Sequence, residues 1–279
     1  MRVIIDIETL PAPDGPDGCP IWKAMADQKF STEGAEYGGA PRNWKDEDKI
    51  AAHRAAWEAG LEAKMAQERK AARDLTGLNG MVGRLAWIGI SVEVGPGIWD
   101  PHVLHPPIRE PEVWGTMEAE DDLLTRLAAI DEGGPIQWVG WNIGFDVSFL
   151  RLRALRHRRR RVLEMFGDFD AKPWTAKTVD LQRRHPGRSM WSRSGTYGAK
   201  LGHAWMTTTG RLDPDASGGG SAVAALLAEG RCQTIVDHCL HDIEKTADMW
   251  NSRAHCLSPD ITDRRDVPAL LVLSHPFVN

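Results

Sequence analysis

Cysteine is scarce in this chain. Cys19, Cys232, Cys239 and Cys256 are the only four, and none forms a C-x-x-C pair or a zinc spacing. A disulfide-stapled scaffold and a cysteine-held zinc are therefore not expected, and free thiols in a reducing cytoplasm are the simplest account. Long apolar runs are missing too. None approaches the ~20 residues that a membrane span requires, so no membrane partner is expected. Residues 1–10 have neither a basic n-region nor a small-residue cleavage site, which speaks against a secretory signal and for a cytoplasmic location. Positive charge is not in excess. The net charge of -5 argues against a protein that coats nucleic acid by bulk electrostatics.

What remains is an ordinary globular composition, 42% hydrophobic and 26% charged, over 279 residues. That is enough for one large domain or two small ones with a substantial core. The arginines are clustered. Residues 151–161 (RLRALRHRRRR) carry seven of them and one histidine; Arg183, Arg184, Arg188 and Arg193 follow. Such a face suits a polyanion gripped at one place, or is simply a solvated helix surface.

The order of patterns indicates an α/β domain with a mixed sheet. Residues 2–7 read as a buried strand, and residues 11–43, rich in Gly and Pro, as an irregular excursion. Strong helix formers fill 46–74, where Trp57, Leu61 and Met65 make a narrow stripe expected to pack on the domain. A helical insertion at about 11–80 thus separates the first strand from the second. Leu85–Val94 and Ile98–Leu104, joined by Gly95-Pro96-Gly97, read as a hairpin. A helix over 117–131, a strand over 136–140 after Gly133-Gly134-Pro135, a helix over about 147–159 and a short strand over 178–181 follow. Residues 182–220 look loop-rich, with a flexible Gly218-Gly219-Gly220. Helices over about 221–229 and 231–252 close the pattern.

Three acidic motifs carry chemistry. Asp6 and Glu8 end the apolar run Val3-Ile4-Ile5 and share one side of the strand, because side chains alternate. A divalent cation would relieve their repulsion; acids at a wet strand terminus are the plainer account. Asp146, in Asn142-Ile143-Gly144-Phe145-Asp146, follows a strand and opens a helix, as a helix cap or as part of a site at the sheet end. Asp242 lies one residue off the inward stripe Ile235, Cys239, Ile243 and Thr246, at the core border, where an unpaired acid is costly.

Together these motifs resemble the DEDD (DnaQ-like) 3′–5′ exonucleases: D-I-E-T at 6–9, N-x-x-F-D at 142–146 with V-x-F-L after it, and C-x-x-D-I-x-x-T at 239–246. The likeness covers roughly residues 1–10 and 82–252. Pro41-Arg42-Asn43-Trp44-Lys45-Asp46 and Gly220-Ser221-Ala222-Val223 further resemble phage or prophage members, related to the exonuclease domain of family B DNA polymerases. The resemblance implies one ribonuclease H-like domain, a mixed β-sheet flanked by helices, spanning 1–279. It implies two divalent cations, Mg2+ with Mn2+ as substitute, held by Asp6, Glu8, Asp146 and Asp242. The family carries Tyr four positions, or His five positions, before the last acid. Here His238 stands four before Asp242 and Asp237 five before. His238 is the expected general base and His241 the competitor, with both as surface histidines the remaining alternative.

The implied substrate is single-stranded or frayed DNA entered from its 3′ end. RNA, an inactive nucleic-acid-binding module and a metal-dependent endonuclease of the same fold are the other readings. Replication or recombination proteins are conceivable partners. Thr9 and Leu10 would hold the terminal nucleotide, with Trp141, Asn142 and Phe145 beside it, while Phe149 packs inward. Most of the twelve tryptophans belong in the core; Trp191 and Trp205 are further stacking candidates. Arg151–Arg161 would track phosphates.

Overall fold

A computed structural model of the chain describes residues 1–13, 19–32, 35–130, 135–166, 178–184, 200–213 and 222–256, without the side chains of residues 184 and 253–256. Trp191, Arg188, Arg193, the Gly133-Gly134 and Gly218–Gly220 turns, and the thiol of Cys256 lie outside these residues. Among the described residues, no helix is long and apolar enough to cross a membrane. The chain forms two compact units, one of Met1–Glu8 with Leu85–Asn279 and one of Thr9–Arg84.

The first unit is built on a five-stranded mixed sheet of order β3-β2-β1-β4-β5. Its strands are β1 (Arg2–Leu10), β2 (Arg84–Gly95), β3 (Ile98–Leu104), β4 (Gln137–Gly140) and β5 (Thr178–Asp180). β1, β4 and β5 run parallel, whereas β2 and β3 form the antiparallel hairpin expected from the Gly-Pro-Gly turn. Gly97 closes that turn with φ of 71°, a left-handed conformation that glycine adopts without a Cβ penalty.

Alternation along β1 divides the core. Val3, Ile5 and Ile7 pack against α3 (Met117–Ala129), α4 (Ile143–Arg156) and α5 (Arg160–Phe166). Ile4 faces the other way, onto α7 (Leu201–Thr209) and α9 (Cys232–Cys256). These four side chains are nearly or fully buried, and each contributes about 1.5–3 kcal/mol of burial free energy. The even-numbered face of β1 is therefore the α9 face, and Asp6 and Glu8 continue it. α9 comes in close: a Cβ on Gly89 of β2 would lie 2.6 Å from Cys239 Sγ and 3.0 Å from Ile243. Ile235, Cys239, Ile243 and Thr246 are all buried, as the stripe required.

Besides the short α6 (Leu181–Arg184), which opens the 182–220 stretch, two helices fall where irregular chain was expected; α8 (Val223–Ala228) lies where the 221–229 helix was expected. α1 (Pro20–Lys29) forms inside the 11–43 stretch, with Pro20 at its first position, where the missing N–H costs nothing. α7 forms inside the 182–220 stretch and stops at Gly210, in the left-handed conformation. Both are short, so their apolar periodicity was faint beside the surrounding Gly and Pro.

In the second unit α2 (Glu47–Asp74) starts where Asp46 accepts hydrogen bonds from the N–H groups of Asp48 and Lys49. It buries no residue. The stripe expected to pack on the domain is only half-covered, and Trp57 meets Tyr37, with ring centroids 5.5 Å apart. The small core of this unit is instead Ala12, Cys19, Trp22, Ala26 and Val82.

Three arginines of the arginine-rich segment are paired with acids. Arg153, 1% exposed, pairs with the buried Glu120, whose carboxylate also accepts from the Leu85 N–H (2.7 Å) and meets His157 Nε2 (2.8 Å). Arg159 pairs with Asp121, and Arg160 with Glu164. A buried carboxylate beside the start of β2 has to be compensated, and Arg153 and His157 compensate it. The expectation that the whole run tracks phosphates is corrected at Arg153 and Arg159, whose pairs with Glu120 and Asp121 tie the α4 end of the segment to α3.

Candidate active site

Three elements of the first unit bring the predicted acids together. β1 supplies Asp6 and Glu8 from its α9 face. β4 ends at Gly140, where a Cβ would lie 3.0 Å from both Ile5 O and Ile143 Cβ, so glycine lets the chain turn tightly into α4 against β1. Asn142 makes that turn with φ of 60°, a region that asparagine tolerates. Asp146 then falls within the first turn of α4 rather than at its cap, and is 3% exposed. Its Oδ1 accepts the N–H of Ile7 at 3.3 Å. The β1–β4 pairing runs as far as Ile4 and Val139, so the acid serves a backbone donor beyond the stretch paired with β4.

α9 supplies Asp242 and, one turn earlier, His238. His238 Nε2 lies 3.8 Å from Glu8 Oε1 and 3.7 Å from Asp242 Oδ2. One ligand atom from each of Glu8, His238 and Asp242 falls within 4.8 Å of the other two. His241, adjacent in sequence, is exposed and stands outside this trio.

The electrostatics tie the remaining acids to the trio. Burial raises the Asp6 carboxyl well above its ordinary value, and the charges of Asp146, Glu8 and Asp242 raise it further. Burial, then Asp242 and Asp146, push Glu8 up to about 8. Burial likewise pushes Asp146 to about 8, although the N–H of Ile7 and its own N–H oppose the shift. Asp6 and Glu8, each raised by the charges of Asp146 and Asp242, thus belong to one anionic site suited to cations. The donor set is chiefly carboxylate oxygen with one imidazole, which fits Mg2+ or Mn2+ better than a thiophilic metal. The nearby thiol of Cys239 is fully buried against the sheet.

Of the expected substrate contacts, Asn142 is exposed and Trp141 half-buried at the β4–α4 turn. Phe145 is only half available, since it packs on the core and on Phe149, with ring centroids 5.8 Å apart. Phe149 points inward as expected. Thr9 and Leu10 belong to the second unit. Leu10 is 1% exposed, so its role against a terminal nucleotide is corrected to packing. Trp205 is also corrected: it is buried on α7 and donates to Asp248 Oδ2 at 3.0 Å, which leaves no face for stacking.

Three charged residues were missed. Asp180 ends β5 opposite Gly140, and its charge raises Asp146. Its own Oδ1 accepts the Arg183 N–H at 3.1 Å. Lys245 Nζ lies 3.1 Å from Asp242 Oδ1 and 3.0 Å from Asp213 Oδ1. Burial works to lower the lysine, but the two carboxylates outweigh it and hold Lys245 above its ordinary value. The three-residue step from Asp242 to Lys245 was readable as a helix pair. Asp180 had only its place at the end of a parallel strand, and Asp213 had no signal.

No family model matches the chain, and neither a curated protein nor a solved structure matches it.

Proposed function

We propose that the chain is a metal-dependent 3′–5′ exonuclease acting on single-stranded or frayed DNA, with Asp6, Glu8, Asp146 and Asp242 as its metal ligands and His238 as its general base. The observation that carries this reading is the convergence of Glu8, His238 and Asp242 within 4.8 Å, with Asp6 and Asp146 coupled to them by charge. The mixed sheet, with one antiparallel hairpin and helices on both faces, accords with the ribonuclease H-like fold that the motifs imply. The 3′–5′ direction, DNA as substrate and the phage-type subgroup rest on the resemblance of those motifs.

The acids would hold two divalent cations, which on binding supply charge neutralisation at the phosphodiester and at its leaving oxygen. The protein's own residues do the rest. Asp146 is fixed by the Ile7 N–H, and Glu8 and Asp242 stand on β1 and α9, which share the core of Ile4 and Ile243, so the ligands are in place before a substrate arrives. His238 stands at the rim between Glu8 and Asp242, with its side chain 13% exposed. A water brought there can lose its proton to Nε2. Trp141 and Asn142 flank the acids at the β4–α4 turn as nucleotide contacts.

The test is digestion of 5′-labelled single-stranded DNA and RNA in Mg2+ or Mn2+, beside Asp6→Ala and Asp242→Ala. Products shortening stepwise from the 3′ end, and lost in both variants, are expected. Cleavage that persists in Asp6→Ala would refute the two-cation assignment. Preference for the RNA arm would move the activity to an exoribonuclease.

A further inference from the structure

We infer that Lys245 and Asp213 form a positioning clamp on Asp242, which holds one carboxylate oxygen away from the cation site and leaves the other facing Glu8 and His238. This rests on the metal-site reading above.

The two oxygens of Asp242 have different partners. Oδ1 receives Lys245 Nζ at 3.1 Å, while Oδ2 is the atom 3.7 Å from His238. A carboxylate tied at one oxygen cannot rotate freely, so it offers a single ligand atom in a fixed direction. A lone lysine in that position would oppose cation binding by its charge. Asp213 removes that penalty: its Oδ1 lies 3.0 Å from the same ammonium, and the two side chains are 3% and 7% exposed. Lys245 and Asp213 thus make a buried pair with no net charge, and Asp242 keeps its own negative charge for the cation. The pair acts by orientation rather than by field.

Asp213 is itself set by a third element. A Cβ built on Gly202, in the first turn of α7, would lie 2.2 Å from Asp213 Oδ2. Only glycine leaves room for the carboxylate there. The sequence of supports runs from Gly202 through Asp213 and Lys245 to Asp242, and so from a helix remote in sequence to a metal ligand. Supports of this kind affect metal affinity or activity by about 10–100-fold when removed.

The experiment titrates Mn2+ calorimetrically into wild type, Asp242→Ala, Lys245→Met/Asp213→Asn and Gly202→Ala, with a thermal melt of each. The double variant removes one charge of each sign, so it changes no net charge. It is expected to bind Mn2+ about tenfold more weakly and to lose activity in kcat rather than KM. Gly202→Ala touches no charged group, favours the helix, and displaces only the end of a side chain. It is expected to weaken Mn2+ by about threefold or more with an unchanged melt. If the double variant fails to fold, Gly202→Ala decides the matter. Wild-type Mn2+ affinity in the folded variants, with binding lost in Asp242→Ala, overturns the clamp and leaves the metal site standing. Absence of Mn2+ binding in wild type overturns both.

Discussion

The acidic cluster should make the stability of this protein depend on pH, and the proposed metal site should make it depend on divalent cations as well, with the sign opposite to that of a protein held by surface ion pairs. Glu8 has an ordinary value of 4.5 and is pushed to about 8 in the folded chain. Asp146 is pushed from 3.8 to about 8, and Asp6 also rises. An acid raised by folding keeps its proton in the native state after the unfolded chain has lost it. Stability is therefore complete below about pH 4.5 and is lost as pH rises toward about 8. For one carboxyl moved that far the loss is on the order of 5 kcal/mol. The acids repel one another and share their protons, so we assign this amount to the cluster and not to each member. At roughly 2–4 °C per kcal/mol for a chain of this class, the cation-free protein should melt on the order of 10 °C lower near pH 8 than near pH 5.

Bound cations neutralise the same charges, so their stabilisation should follow the opposite course. Melts with EDTA and with about 10 mM Mg2+, at several pH values from about 5 to 8, measure it directly. The Mg2+ gain should be small at the acid end and should grow to several degrees or more near pH 8. Asp6→Asn/Glu8→Gln supplies the control, since it removes two acids while keeping their shape; Asp146 keeps its burial-driven shift, so the melt in EDTA should be flatter than that of wild type and the Mg2+ gain small. A wild-type gain that is equal at both ends of the range, or a variant that behaves as wild type, would refute the reasoning.

The two histidines before Asp242 separate by position. His238→Ala should lower kcat by about 100-fold or more, the usual contribution of a positioned base, whereas His241→Ala, exposed and outside the trio, should stay within a few-fold of wild type; single-turnover rates on labelled DNA decide between them, and the reverse order overturns the assignment. Glu120→Ala leaves Arg153 buried without its carboxylate and should cost about 3–5 kcal/mol in urea unfolding. Arg160→Ala, whose pair with Glu164 is exposed, should cost less than about 1 kcal/mol. Equal losses would show that burial of the Glu120 pair contributes nothing.

The fold was legible where one signal ran long enough to dominate. The β2–β3 hairpin, α3, α9 and the helix over 46–74 each have a sustained period or an unambiguous turn, and the structure places them within a few residues of expectation. α1 and α7 were not legible, because ten and nine residues give few repeats of a helical stripe among Gly and Pro. α4 begins at Ile143, four residues before the expected start. Its opening turn is made by Asn142 in a left-handed conformation, which propensity does not announce. The arginine run failed for another reason. Composition counts charges of one sign, and Glu120 and Asp121, the partners of Arg153 and Arg159, lie far from them in sequence.

The same distinction explains which parts of the site were visible. Asp6 and Glu8 are two residues apart on a strand, and His238 and Asp242 are one turn apart on a helix, so the local period alone fixes their relative direction. Asp180, Asp213 and Gly202 reach the site only through tertiary packing, and nothing local marks them. They act on residues that are themselves proposed ligands or supports: Asp180 on Asp146, and Gly202 and Asp213 on Lys245. Lys245 lies between the two classes. Its step from Asp242 is local, but its purpose is not, because a lysine three residues after an acid on a helix is ordinarily a surface pair worth a few tenths of a kcal/mol. Burial with Asp213 turns that common pair into a fixed one. The chemistry of this site is thus written in local motifs, and its geometry in packing.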